Sequence, residues 1–308
     1  MVVPGNTQRT APSPKTTIRL GHSPDPDDAF MWRALANFVA PDGAKLTPTI
    51  DTRGYDFVHV LEDIQSLNMR SERGELEITA LSTHQYPFVA DKYALTHCGA
   101  SMGDDYGPMI VSRCKLRPTE LAGKSLAIPG ERTSAWLACQ ILLAEEGLST
   151  DELRYRTVPF DQIIPRVAGG EFDAGLIIHE GQLTYRHSGL VCVADLGAWW
   201  TRSRGLPLPL GANAIRRDLG PKMEELCAIL LDSIRYALAH RHEAVAFSLN
   251  YARDLGPELA DRFVAMYVNK WTLDYGERGR RAVRQFIREG IDAGLVPDCG
   301  EIDFVYPR

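Results

Sequence analysis

The stretch Gly175-Leu176-Ile177-Ile178-His179-Glu180-Gly181 is an apolar run that stops at a histidine and continues into an acid and a glycine. Ala174 to Ile178 has the length and the lack of polar positions of a strand buried on both faces, the strand type of sheets covered by helices. Such sheets meet their ligands just beyond strand carboxyl ends. His179 then stands where a bound molecule would arrive, and histidine exchanges protons near neutral pH without a large pKa shift. A histidine merely satisfied at a strand end is the competing reading.

Working outward, short apolar runs alternate with helical periodicity. Strands are expected at Ile18 to Gly21, Leu46 to Asp51, Leu76 to Leu81, Lys124 to Ile128 and Tyr155 to Val158, besides Ala174 to Ile178. Helices are expected at Ala29 to Phe38, Phe57 to Met69, Ser134 to Glu146 and Ile163 to Ala168, and in a long series from near Met223. This alternation predicts an α/β fold with largely parallel sheets.

A chain of 308 residues suits two domains better than one core. Two Pro/Gly-bearing segments, Tyr106 to Val111 and Arg204 to Gly211, bracket the middle block and read as paired hinges. They divide the chain into a leader over 1–16, a discontinuous first lobe over 17–108 and 206–308, and a second lobe over 109–205, with a ligand cleft between lobes.

The formal net charge is −6 without clustered Lys/Arg, so nothing marks a nucleic-acid surface. Cys98, Cys114, Cys139, Cys192, Cys227 and Cys299 show neither C-x-x-C spacing nor a dense framework, which argues against zinc or disulfides and for reduced thiols. The Pro/Ser/Thr-rich start lacks the apolar core of a signal peptide, and no later run is as long as a membrane span. A cytoplasmic protein is expected. His84 and His97 are too far apart for one metal-binding helix face, and His240 and His242 alternate sides of a helix, so no metal is expected. G-x-x-x-x-G-K-[ST], G-x-G-x-x-G and G-x-S-x-G are all absent at strand ends.

Three loops could carry chemistry. Ser23-Pro24-Asp25-Pro26-Asp27-Asp28 lies between the first strand and the first helix, where Ser and Asp are ordinary caps; three acids facing a cleft would repel an anion. Pro129-Gly130-Glu131-Arg132-Thr133-Ser134-Ala135 joins a strand to a helix through a glycine turn and two hydroxyls, an arrangement suited to a carboxylate, although one hydroxyl suffices as a plain cap. Ala80-Leu81-Ser82-Thr83-His84 ends a strand in hydroxyls from the other lobe, with capping by Ser82 or Thr83 and a surface His84 as the alternative.

These motifs, in order, resemble the 1,4-dihydroxy-6-naphthoate synthase family of the futalosine route to menaquinone, two-lobed enzymes with a periplasmic-binding-protein-like (type 2) fold. The resemblance spans from about Ile18 to the C-terminal helices. Ser23 to Asp28 partly matches a family S-P-C-P-N-D-T loop, and Leu81 to Tyr86 is similar to L-S-x-H-A-Y. Pro129 to Ala135 is similar to P-G-x-x-T-T-A. Gly99 to Gly103 with Gly107-Pro108, Ile177-Ile178-His179-Glu180, Leu206 to Gly211 and Tyr267 to Gly276 complete the series.

The resemblance implies a carbon–carbon lyase that cleaves cyclic dehypoxanthinyl futalosine to 1,4-dihydroxy-6-naphthoate without a cofactor. It implies His179 as proton acceptor and Ala80, Leu81, Ser82, Thr133 and Ser134 as substrate-binding residues, to which the position of the first loop adds Ser23. The substrate would be a small anion, with no nucleic-acid or membrane partner. Glu180, adjacent along an extended strand, is expected on the opposite face from His179. Asp25 and Asp27 stand where the family loop carries Cys and Asn, a departure that bears on specificity. Two alternatives share the fold: a chorismate dehydratase-like enzyme of the same pathway, and a non-catalytic solute-binding protein for a small carboxylate.

Overall fold

The structure is a computed structural model that describes residues 15–39, 43–251 and 256–308. The expected leader lies outside the described residues apart from Lys15 and Thr16, and Thr16 already opens the first strand.

The strands, in chain order, are β1 Thr16–His22, β2 Tyr55–Leu61, β3 Ile78–Ser82, β4 Tyr93–Thr96, β5 Ser101–Gly103, β6 Met109–Ser112, β7 Ser125–Ile128, β8 Arg154–Thr157, β9 Ala174–Ile177, β10 Val191–Asp195, β11 Leu208–Arg216 and β12 Phe304–Val305. The helices are α1 Pro26–Trp32, α2 Ile64–Ser71, α3 Tyr86–Val89, α4 Ser134–Glu145, α5 Phe160–Ala168, α6 Gly181–Thr184, α7 Leu196–Arg204, α8 Lys222–Ala239, α9 Arg241–Ser248, α10 Pro257–Tyr267, α11 Lys270–Leu273 and α12 Gly276–Asp292, with short 3-10 turns between them.

The strands form two sheets, one per lobe. The first runs β12-β4-β11-β3-β1-β2, with β5 also on β11; the second runs β10-β6-β9-β7-β8. The chain leaves the first sheet after β5, builds the second from β6 to β10, and returns on β11, so the first lobe is discontinuous. Both sheets are mixed, which corrects the expectation of largely parallel ones. β11 runs antiparallel to β3, β4 and β5, and β6 antiparallel to β9 and β10. The reason is topological: β6 and β11 are the strands on which the chain crosses between lobes, so each enters its sheet from the end opposite to a βαβ strand.

Two expected elements are corrected. Phe57 to Met69 is not one helix but β2 followed by α2. The alternating burial of Tyr55 and Phe57 fits a pleated strand, and Asp63 stops the run by capping α2, its carboxylate accepting from the Ser66 amide. Leu46 to Asp51 forms no strand; only an isolated bridge joins Val39 to Lys45, and Pro48 lacks the N–H a ladder needs.

Each sheet has its own core. In the first lobe Ile18, Leu20 and Phe57 pack with the wholly buried α1 and with Ile229, Leu230 and Ile234 of α8. In the second, Leu126, Ile128, Ala174 and Leu176 pack against Trp136, Leu137 and Leu142 of α4. At the crossing the backbones nearly touch: a Cβ added to Gly197 would lie 1.8 Å from the Tyr106 carbonyl oxygen. Gly197 lies at the start of α7, so a side chain there would push α7 away from the first crossing segment.

Candidate active site between the lobes

The cleft where the lobes meet encloses about 720 Å³ including its mouth. The structure brings Ser23, Ala80, Leu81, Ser82, Thr133, Ser134 and His179 to its walls. Ser23, Ala80, Leu81 and Ser82 come from the carboxyl ends of β1 and β3, and the other three from the ends of β7 and β9. This is the position that open α/β sheets reserve for ligands.

His179 follows β9 by two residues and takes a left-handed φ of 52°. A non-glycine residue in that conformation is uncommon and carries strain. The turn ends the strand alternation, so the expected opposition of His179 and Glu180 does not extend to this pair. The Phe160 ring of α5 packs on the imidazole with centroids 4.8 Å apart. Gly175 allows this approach, because a Cβ there would lie 2.5 Å from Ile163 Cγ2 of the same helix.

The hydroxyl pair at α4 is largely committed within the protein. Thr133 is the helix cap: its hydroxyl donates to the Gly130 carbonyl at 2.7 Å and accepts from the Trp136 amide at 3.3 Å. Ser134 ties the lobes together, donating to the Leu210 carbonyl at 2.6 Å and accepting from the His84 amide at 3.2 Å. A ligand is left the opening N–H groups at Ser134 and Ala135, which have no intrahelical acceptor and lie in the cleft wall. Ser82 Oγ accepts from Asn68 Nδ2 at 2.9 Å and keeps its own proton to offer.

His84 is buried rather than on a helix surface; its Nδ1 donates to the Thr133 carbonyl at 3.1 Å. Burial pushes its pKa down to about 4, so it is neutral across the physiological range. The α4 start is held further by Asn68 Nδ2 donating to the Arg132 carbonyl at 3.2 Å and by the Arg132 amide donating to Gln65 Oε1 at 3.1 Å. Tyr267 donates to Gln182 Oε1 at 2.8 Å on the far side. The cleft is thus described with its lobes joined across it.

The Ser23 to Asp28 loop folds its acids inward. Ser23 Oγ donates to Asp25 Oδ2 at 2.8 Å, and the Ser23 amide donates to Asp28 Oδ2 at 2.8 Å. Asp25 Oδ2 also lies 3.3 Å from His179 Nε2. Asp27, only 8% exposed, has an Oδ1 with no hydrogen-bond partner. Burial first, and then the neighbouring Asp28, raise the Asp27 carboxyl to about 8, with His179 partly opposing them. Burial raises Asp28 to about 7, offset in part by the Ser23 amide. The repulsion read from three adjacent acids is therefore relieved by protonation.

None of the described residues lining the cleft is Lys or Arg. An anion there must rely on N–H groups, hydroxyls and neutral carboxyls. Sequence reading did not place Asn213, Gln182 or Tyr267 in the site, which they reach from β11, α6 and α10; Tyr267 opens the Tyr267 to Gly276 motif, whereas no local spacing marks Asn213 and Gln182, each placed by its lobe. It also missed a buried group of His97, Cys98 and Cys227, whose ligand atoms lie within 4.8 Å of one another away from the cleft. There Cys227 Sγ is 3.1 Å from the Val305 carbonyl, as a thiol donor packs.

The sequence model described as menaquinone biosynthesis matches residues 18–291. The chain belongs to the menaquinone biosynthesis family. Within this family it is 40% identical over 279 residues to a 1,4-dihydroxy-6-naphthoate synthase of Thermus thermophilus, covering 90% of this chain and 95% of the relative. It is 34% identical over 292 residues to the enzyme of the same name from Streptomyces coelicolor, covering 94% and 99%. A solved protein from Archaeoglobus fulgidus superimposes with a TM-score of 0.81 at 40% identity, covering 91% of this chain and 98% of that one. The alkanesulfonate-binding protein of Xanthomonas axonopodis superimposes with a TM-score of 0.68 at 14% identity over 94% and 97% of the chains, a likeness of fold. The chain thus has the periplasmic-binding-protein-like fold. No described helix is long and apolar enough to cross a membrane.

Proposed function

We propose that the protein is a carbon–carbon lyase of menaquinone biosynthesis that cleaves cyclic dehypoxanthinyl futalosine to 1,4-dihydroxy-6-naphthoate, with His179 as the base and without a cofactor. The observation that carries the reading is His179 held at the cleft by Phe160 and Asp25, in a chain whose curated relatives of that name match nearly end to end. The substrate carboxylate meets the N–H groups that open α4, where the helix terminus favours negative charge. Ser82 and the protonated Asp27 offer hydrogen bonds from the opposite lobe. His179 takes a proton from a substrate hydroxyl or acidic carbon; the carbon–carbon bond then breaks, releasing the naphthoate and a small sugar-derived fragment, drawn by formation of the aromatic ring. Joined lobes hold the reacting groups together and exclude water.

The lobe limits 17–108 with 206–308 and 109–205 belong to the same proposal, as does a cytoplasmic location, which suits six free cysteines. The test is incubation of purified protein with cyclic dehypoxanthinyl futalosine, following naphthoate by mass spectrometry. His179→Ala is expected to lower kcat by about 100-fold or more. Product at the wild-type rate from that variant would remove His179 as base; substrate recovered unchanged from the wild type would favour a binding protein.

A further inference from the structure

Asp25 occupies the cap position of α1, yet its side chain makes no capping hydrogen bond. An aspartate there ordinarily accepts from the first helical amides. Here the carboxylate turns away and is 2% exposed. The Ser23 hydroxyl donates to its Oδ2 at 2.8 Å, while the Asp25 amide donates to Ser23 Oγ at 3.1 Å. Residue 23 thus fixes the acid from both sides, and the oxygen it holds is the one 3.3 Å from His179 Nε2, in the other lobe. The contact is within ion-pair reach but not aligned as a hydrogen bond. Catalytic contacts of unliganded sites are often long in this way and tighten with substrate.

We propose that Asp25 is the positioning residue of His179, accepting its Nε2–H across the cleft so that Nδ1 is the nitrogen that takes the substrate proton. This deepens the reading of His179 as base and rests on it. The geometry divides the work on the ring: Phe160 fixes its plane from one side, and Asp25 fixes its rotation and tautomer. A buried carboxylate on one imidazole nitrogen stabilises the charge that appears when the other nitrogen is protonated. The pairing also couples chemistry to closure. Asp25 belongs to the first lobe and His179 to the second, so the base is oriented only when the lobes meet.

The experiment has two arms. In the first, ¹⁵N-histidine NMR of the resting protein reads the His179 tautomer, assigned with His179→Ala. The Nε2–H form is expected in the wild type, and a shift toward a mixture of tautomers in Asp25→Ala. In the second, turnover of cyclic dehypoxanthinyl futalosine is measured. Asp25→Ala and the size-matched Asp25→Asn are expected to lose about tenfold or more in kcat, with KM changed less than about threefold. An Asp25→Ala tautomer pattern identical to wild type, or wild-type kcat in both variants, overturns the proposal. Should Asp25→Ala not fold, Asp25→Leu, closer in size to aspartate and without an acceptor, carries the tautomer arm and Asp25→Asn the turnover arm. Absence of turnover in the wild type defeats the enzymatic reading instead, while the tautomer arm still decides the pairing.

Discussion

Replacing Asp27 with asparagine should make the protein more stable at neutral pH, by an amount that depends on pH in a defined way. In the unfolded chain this carboxyl ionises at its ordinary value of 3.8, whereas in the fold burial and Asp28 hold it to about 8. Between those values folding takes up a proton, so stability falls as pH rises, by about 1.4 kcal/mol per unit. The fall begins near pH 4 and levels off above about pH 8. From 3.8 to pH 7 is roughly three units, so the wild type gives up at most about 4 kcal/mol on this residue alone. Asparagine keeps the size and cannot ionise, so the variant escapes the loss. Urea denaturation of both proteins at pH 4, 5.5, 7 and 8.5 measures it. The expected result is near-equal stability at pH 4, a gap that widens with pH, and a gain of about 2 kcal/mol or more at pH 7. A gap independent of pH, or a variant less stable throughout, would refute the assignment of Asp27 as a buried carboxyl protonated at neutrality.

Two further outcomes follow from the way the lobes are joined. Gly197→Ala puts a Cβ on the Tyr106 carbonyl and should cost about 2 kcal/mol or more through displaced backbone, read from the urea midpoint; an unchanged midpoint would mean that α7 and the first crossing segment are not packed against each other. Ser134→Ala removes the hydroxyl bonded to the Leu210 carbonyl and the His84 amide and should cost about 1–3 kcal/mol, with a loss below about 0.5 kcal/mol showing that the lobes do not depend on it.

The legibility of the chain follows from the range of the interactions involved. β1, β3, β7 and β9 carry local apolar positions and were readable, and so were α4 and α5; β8, an exposed Arg-Tyr-Arg-Thr strand, was readable only through Tyr155 and the buried Val158 that follows it. β2 was not: its apolar positions continue into those of α2 with a spacing that also fits a helix, and only pairing with β1 along its whole length makes it a strand. The crossing strands β6 and β11 read as hinges because their prolines and glycines are local signals. Their antiparallel pairing is a property of the closed topology and has none.

The site divides in the same way. Ser82, Thr133, Ser134 and His179 were visible because strand ends and helix starts have local signatures, whereas Gln182 and Asn213 reach the cleft from elements that show nothing of the kind, and the motif that Tyr267 opens does not by itself point to the cleft. The acidic loop is the sharpest case, since its sequence states three charges and its structure keeps fewer. Whether a carboxyl is ionised depends on burial and on the distance to its neighbours, and neither is fixed by spacing along a chain. Once Ser23 bonds Asp25 and Asp28, Asp27 is left beside two acids in a site lined by no described Lys or Arg, and protonation is the least costly state for it. A loop that would repel an anion in water can therefore donate hydrogen bonds to one in the cleft through Asp27, while Asp25 Oδ2 stands 3.3 Å from His179 Nε2.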